Sequence, residues 1–317
     1  MVTRTNLVAR SISRSAQEQL RRSLSVSRNE SGLRVLAVSE RACNLVTPQA
    51  DVVALVSPEV GDGPLNVVIA DGDDIYAGVQ PNTPAYLEGQ RLRIGPVTIL
   101  LYTATIWEPR PPWERLARRG VSTDRFSLLQ ALVLRHAPED SLLALLCSQR
   151  SHESMTGPAK VQLATSPRKV MLATAQAAAD HLRAGWEGDP ARLQTGVARL
   201  AGLGGGMTPA GDDFLVGVML WAWLAHPIPG RFCEVLLKAS ESRTTTLSAA
   251  FLRAAAAGEC SASWHRLLAT LVSDAELELE AAVEAVVSCG HTSGADALAG
   301  FLWMGSQPIR GQQAWSL

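Results

Sequence analysis

The chain has 317 residues, 47% hydrophobic and 19% charged, a globular balance at about twice the length of an ordinary ~150-residue domain. Its formal net charge is −1, which excludes a general nucleic-acid coat, since neutralising phosphates needs a basic excess. Its longest strongly apolar run, Phe214–Ala225, has 12 residues, well short of the ~20 that a bilayer helix needs, so no membrane crossing is expected.

Residues 1–31 carry six Arg, two Glu and many Ser. The composition is superficially that of an organellar transit peptide, but there is no apolar core of a secretory signal. An amphipathic helix near Ser13–Ser25, packed on the body, is the preferred expectation. Next come short runs rich in Val, Ile and Leu: Leu33–Val38, Asp51–Val56, Leu65–Ala70 and Val97–Tyr102, with Arg91–Ile94 alternating polar and apolar. Turn signals at Gly61–Pro64 and Asp71–Asp74 separate them. No helix of ordinary length fits between these runs, so they predict an antiparallel sheet or small barrel. The stretch Trp107–Trp113 holds three prolines within four residues and breaks regular structure.

Beyond it the chain reads as helix. Ser122 or Thr123 caps a helix through about His136, Ser166-Pro167 opens one toward Ala184, and Asp189-Pro190 opens one ending at Gly202. Further helices are expected over Thr208–Ala225, Arg231–Ser242, Leu247–Ala257, Ser263–Val272, Ala275–Val287 and Ser293–Trp303. The fold class is therefore α+β: an N-terminal antiparallel β-rich domain with a leading helix over 1–106, then a larger all-α helical bundle domain over 107–317. The five cysteines (Cys43, Cys147, Cys233, Cys260 and Cys289) lack CxxC spacing. They read as reduced, mostly buried thiols of a cytoplasmic protein.

The densest signal is the run Gly202–Gly217, Gly-Leu-Gly-Gly-Gly-Met-Thr-Pro-Ala-Gly-Asp-Asp-Phe-Leu-Val-Gly. Glycines at this density are incompatible with a helix interior, each costing about 1 kcal/mol against Ala. They make a loop, with Thr208 expected as N-cap and Pro209 as the first helical residue. A glycine loop feeding a helix N-terminus suits an anion, and the N–H groups of Gly204, Gly205 and Gly206 are its candidates. No Gly-Lys-Ser/Thr follows, so this is not a Walker loop. A simple tight helix–loop–helix connection explains the glycines equally well. Asp212 and Asp213 suit the helix dipole, yet beside an anion site they repel the anion. The conflict disappears if a divalent cation bridges them, if one Asp is protonated, or if one points away.

Gly290–Gly300 echoes this element: Thr208, Gly211, Asp213, Leu215 and Gly217 correspond to Thr292, Gly294, Asp296, Leu298 and Gly300. The echo is either chance similarity of glycine-rich helix starts or two N-termini meeting at one ligand. In the first account Ser293 and Asp296 form a capping box. His291 lies just outside this helix, where the positive helix end favours a neutral imidazole fit to act as a base. The run Arg243–Ser248 adds a forked cation and several hydroxyls, Thr244 and Ser248 among them, that either cap a helix or bind an oxyanion.

Taken together, the Gly202 motif, Arg-Thr-Thr-x-Leu-Ser from Arg243 and Gly-His-Thr-Ser-Gly-x-Asp from Gly290 resemble the AllH-like family. Cys43-Asn-Leu and Gly63-Pro-Leu-Asn-Val add to the likeness, which spans most of residues 32–305. The loop departs from the family pattern, reading Gly-Gly-Gly-Met from Gly204 where Gly-Pro-Gly-Leu is expected. The resemblance implies a subunit of an oxamate carbamoyltransferase of anaerobic allantoin degradation, part of purine catabolism. Its substrates would be oxamate or oxalurate with carbamoyl phosphate. For such ligands the residues themselves point to catalytic roles among Asp213, His291 and Asp296 in managing the amine proton, and to ligand contacts from Gly204–Gly206, Thr208, Asp212, Arg243, Thr244, Ser248, Thr292, Ser293 and Gly294. Expected partners are a small anionic metabolite and other carbamoyltransferase subunits or further copies of the chain. If a metal is held, Asp212, Asp213 and Asp296 would hold Mg2+. Two alternatives stay open. One is a magnesium-dependent hydrolase of a phosphorylated or ribosylated small molecule, since the acids also resemble those of ADP-ribosylglycohydrolases. The other is a non-catalytic subunit of a metabolic complex.

Overall fold

A computed structural model describes residues 5–26, 32–70, 76, 78–146, 166–273 and 276–306. The expected turn at Asp71–Asp74, Cys147 and parts of the N-terminal segment lie outside the described residues. Two compact units divide the chain. One comprises residues 1–111 with Glu259–Ala262, the other residues 112–258 with 263–317.

The first unit is β-rich. Its elements are β1 (Thr5–Ser13), α1 (Arg14–Val26), β2 (Leu33–Val38), β3 (Ala42–Val46), β4 (Val52–Val56), β5 (Asn66–Ile69), β6 (Pro84–Glu88), β7 (Arg91–Ile94), β8 (Val97–Leu100) and β9 (Thr105–Trp107). The sheet runs β5-β4-β3-β2-β6-β7-β8-β1-β9, and β1 also pairs with β5, which closes eight of these strands into a barrel. Closure removes the open edges that a flat sheet would expose. Of the two expectations, antiparallel sheet or small barrel, the barrel is present, but the antiparallel character is corrected: β1 runs parallel to β8 and β9, and β4 parallel to β5. For the pairings with β8 and β9 the physical reason is the place of β1 in the chain. Arriving before all the others, this strand is not the return arm of a hairpin and fills the gap between β8 and β5. Leu33, Val35, Cys43, Leu45, Val53, Leu55, Val67, Ile69, Leu92 and Ile94 form one core with Ala16 and Leu20 of α1. The expected amphipathic helix is thus present, with its apolar side buried.

The second unit is helical, with no strand among its described residues. It contains α2 (Trp113–Arg119), α3 (Thr123–Arg135), α4 (Pro167–Trp186), α5 (Pro190–Leu200), α6 (Ala210–Ala225), α7 (Pro229–Ser240), α8 (Thr246–Ala256), α9 (Ala262–Leu271), α10 (Glu276–Val287) and α11 (Ser293–Gly305). Three starts follow the expected caps: Ser122, Ser166 and Asp189 accept the N–H groups of Arg125, Lys169 and Arg192. The short α2 lies outside the expected helices. No helix among the described residues is long and apolar enough to cross a membrane. The described cysteines Cys43, Cys233, Cys260 and Cys289 are free thiols, the first three buried.

Candidate functional site

Helix α5 ends at Leu200, and the chain reaches α6 through the glycine loop. Gly202, Gly204 and Gly206 take φ of +75°, +115° and +85°, a region that side chains rarely tolerate. Gly204–Gly206 are exposed. Among the described residues, no protein acceptor takes up their N–H groups.

Helices α6 and α11 cross in backbone contact. A Cβ on Gly217 would lie 1.8 Å from the Ala297 carbonyl oxygen, and one on Gly300 would lie 1.9 Å from that of Phe214. The earlier glycine of each motif serves the preceding helix: a Cβ on Gly211 would meet the Leu200 carbonyl at 2.1 Å, and one on Gly294 the Val286 carbonyl at 1.8 Å. Six residues at about 100° each bring the second glycine to a different face from the first. The sequence echo is therefore a repeated helix–turn–helix in which one glycine seats each half and the other joins the halves.

This crossing brings the two helix starts together. The Thr208 and Ser293 hydroxyls are 3.0 Å apart. Neither start carries the expected cap. Pro209, extended at ψ 140°, stands at the N-cap of α6 and displaces Thr208, whose hydroxyl goes to Ser293. Thr292 is the N-cap of α11 without a side-chain bond, so Ser293 is the first helical residue and the Ser293–Asp296 box does not form. Asp296 instead turns to the Leu142 N–H, accepting it at 2.6 Å through Oδ1, and to the Thr292 hydroxyl.

The three acids differ in their surroundings. Asp212 accepts the Gly202 N–H at 3.0 Å through Oδ1 and the Thr244 hydroxyl through Oδ2, with the Ser248 hydroxyl also in reach. Burial raises its pKa against these bonds. Asp213 is pushed up to about 8 by burial, opposed by the Ser293 hydroxyl and reinforced by the charges of Asp296 and Asp212. Asp296 is pushed up to about 6 by burial, opposed by its two donors. Among the described residues, Oδ2 of Asp213 and Oδ2 of Asp296 are buried without a hydrogen-bond partner.

The loop is tied from α8 as well. The Thr245 hydroxyl donates to the Met207 carbonyl at 2.5 Å and accepts the Ser248 N–H, capping α8. Thr245 and Leu142 were not singled out in the sequence; Thr245 alone carried a signal, as an N-cap type before an apolar run. Arg243 and His291 are exposed. The backbone carbonyl of Arg243 sits where a Cβ on Gly202 would fall, at 2.5 Å. Among the described residues no hydrogen bond ties His291 to either acid.

The unpartnered oxygens of Asp213 and Asp296 are of the type that a hard divalent cation takes. A second group, His136, Glu280 and Glu284, has donor atoms within 4.8 Å of one another. Arg135 already pairs with Glu280 at 2.8 Å, and His136 lies 3.5 and 3.6 Å from the two carboxylates.

Fold and site together define an α+β protein in which a glycine loop and two joined helix starts enclose a buried acid pair. Residues 9–106 match the N-terminal domain of the AllH family, and residues 200–304 match the family described as oxamate carbamoyltransferase subunit AllH. The chain belongs to the AllH family. No solved structure matches it.

Proposed function

We propose that this chain is a subunit of a carbamoyltransferase acting on small carboxylates, and that it works in a hetero-oligomer with the other subunits. In the reaction the oxamate nitrogen attacks the carbamoyl carbon of carbamoyl phosphate. A C–N bond forms, the C–O bond to phosphate breaks, and the nitrogen gives up a proton, leaving oxalurate and phosphate. Every species is an anion, and the reading places the step in anaerobic allantoin degradation.

The observation that carries this reading is the set of uncommitted N–H groups of Gly204, Gly205 and Gly206 beside two helix starts that lack side-chain caps. Such donors suit a carboxylate or phosphate, and a developing oxyanion. Thr208, Thr292, Ser293 and Gly294 border the same place. Asp212, Thr244 and Ser248 serve by holding the loop, while Arg243 and His291 supply charge and a base from its exposed edge. Asp213 and Asp296 handle the amine proton.

A second reading has one observation in its favour. The two unpartnered carboxyl oxygens fit a magnesium-dependent hydrolase acting on a phosphorylated or ribosylated small molecule. Calorimetric titration separates the two. The carbamoyltransferase reading expects oxamate and carbamoyl phosphate to bind without magnesium, and turnover when the partner subunits are added. Binding that requires magnesium, or hydrolysis by the chain alone, would favour the hydrolase.

A further inference from the structure

Outside the glycine-loop site, three donor groups meet where α3 ends against α10. His136 is the C-cap of α3. Glu280 and Glu284, four residues apart, share one face of α10. One donor atom from each of the three lies within 4.8 Å of the other two. The His136 Nε2 is 3.5 Å from Glu280 Oε1 and 3.6 Å from Glu284 Oε1. An N–H donor closes on an oxygen at ~2.7–3.2 Å, so neither contact is a hydrogen bond. Among the described residues this nitrogen is buried without a hydrogen-bond partner. Glu280 and Glu284 meanwhile repel each other, as like charges at this helical spacing do.

The distances are those of ligands around a shared ion. Zinc holds nitrogen and oxygen donors at ~2.0–2.2 Å in a tetrahedron, which sets neighbouring donor atoms ~3.3–3.6 Å apart. We propose that His136, Glu280 and Glu284 form a zinc site that clamps the end of α3 to α10. An imidazole among the ligands favours zinc over magnesium, which takes oxygen donors. Two carboxylates and a neutral imidazole balance the charge of a divalent cation, and three protein ligands leave the fourth position to water. Arg135, which holds Glu280 at 2.8 Å, is exposed, and an ion pair of that kind is weak. Glu280 has a second carboxyl oxygen to offer it.

The clamp bears on the glycine-loop site through the chain on either side. From His136 six residues lead to Leu142, whose N–H holds Asp296 at 2.6 Å. From Glu284 two residues lead to Val286, whose carbonyl seats Gly294. Both arms of the metal site thus run to the start of α11, and a bound cation fixes the two supports of that helix start.

The test uses the full chain, stripped with a chelator and then titrated at constant pH with zinc chloride by calorimetry and with cobalt(II) by visible absorption. One zinc per chain is expected at micromolar concentration, not displaced by millimolar magnesium. Cobalt is expected to show the intense visible bands of a tetrahedral ion. Glu284→Gln and His136→Ala should each weaken zinc at least about tenfold, since losing even an outer-shell partner typically costs ~10–100-fold. Glu284 is exposed, so its variant keeps the fold and the measurement stands even if His136→Ala does not. The Leu142 amide should exchange more slowly with zinc bound in the wild type, and at an unchanged rate in Glu284→Gln. A chain that takes up no zinc at micromolar concentration, or that binds it equally well in both variants, would overturn the site. Exchange at Leu142 that ignores bound zinc would overturn the clamp.

Discussion

Asp212 spends both carboxyl oxygens on the Gly202 N–H and the Thr244 hydroxyl, whereas Asp213, the next residue, keeps Oδ2 unpartnered. The sequence shows two adjacent acids in a helix's first turn. It does not show which is tied, because the partners lie far along the chain: Thr244 for Asp212 and Ser293 for Asp213. Leu142, the partner of Asp296, is equally remote, and it acts through a backbone N–H that any residue type could supply. Asp212→Ala should therefore release the loop. The two donors are half-buried, so leaving them unsatisfied costs at most about 1–3 kcal/mol, and hydrogen exchange of the 202–208 amides should rise; unchanged exchange would show that Asp212 does not hold the loop. Asp213 gives a different signature. Its folded carboxyl keeps a proton up to about pH 8, while an unfolded aspartate releases it near ~3.9. Between those values the folded chain carries the extra proton, so its stability falls as pH rises and levels off above about 8. Asp213→Asn should flatten that part of the melting-temperature profile and gain on the wild type toward alkaline pH. Parallel profiles for the two proteins would contradict the raised pKa.

At the scale of elements, the crossing of α6 and α11 is the most constrained contact in the site. Gly217→Ala and Gly300→Ala each push a methyl group into a carbonyl oxygen at under 2 Å. Overpacking of a filled core typically costs about 1–3 kcal/mol, and backbone is less able to yield than a side chain. Either substitution should lower the denaturant midpoint and weaken oxamate binding together. Gly205→Ala is the control. It has no positive φ, and nothing lies within 4 Å of its added Cβ, so it should be neutral or stabilising by up to about 0.4–1 kcal/mol through the unfolded chain. A marked loss of stability would show that the loop packs more tightly than described. Helices were more legible than strands in this chain. Ser122, Ser166 and Asp189 announced their helices because a cap is a local device. Thr208 failed as a cap because a tertiary partner, Ser293, claimed its hydroxyl. Strand β1 was missed because Ser11 and Ser13 occupy buried positions, where they bond Asp62 and the Pro64 carbonyl and so interrupt the apolar alternation. Strands β3 and β6 are only five residues long and share their stretches with turn residues.

For the molecule as a whole, composition gave a β-rich first third and a helical remainder, and both are present. Two features were not readable. A small barrel stood beside an open sheet among the expectations, but the strands that close it were hidden: β1 meets β5 in a long-range pairing with no local signal. The return of Glu259–Ala262 to the first unit is likewise invisible in a segment that reads only as the approach to a helix. That return has a consequence for stability. The Cys260 N–H donates to the Pro109 carbonyl at 3.0 Å, the Ala262 N–H donates to the Asp62 carbonyl at 2.9 Å, and the Ser15 hydroxyl donates to Glu259 at 2.6 Å. Ser15 lies in the first turn of α1, and Asp62 also accepts from Ser11 of β1. The distant segment therefore buttresses β1 and α1, the elements that complete the barrel. At about 0.5–1.5 kcal/mol per hydrogen bond, the three bonds are worth about 1.5–4.5 kcal/mol, enough to move the melting temperature of a domain this size by several degrees. In the intact chain, Glu259→Ala should speed hydrogen exchange at the start of α1 while leaving β6 and β7 unchanged. A fragment of residues 1–111, which lacks all three partners, should exchange faster still along β1 and α1. Equal protection of β1 and α1 in the fragment and the intact chain would show that the barrel closes without its borrowed segment.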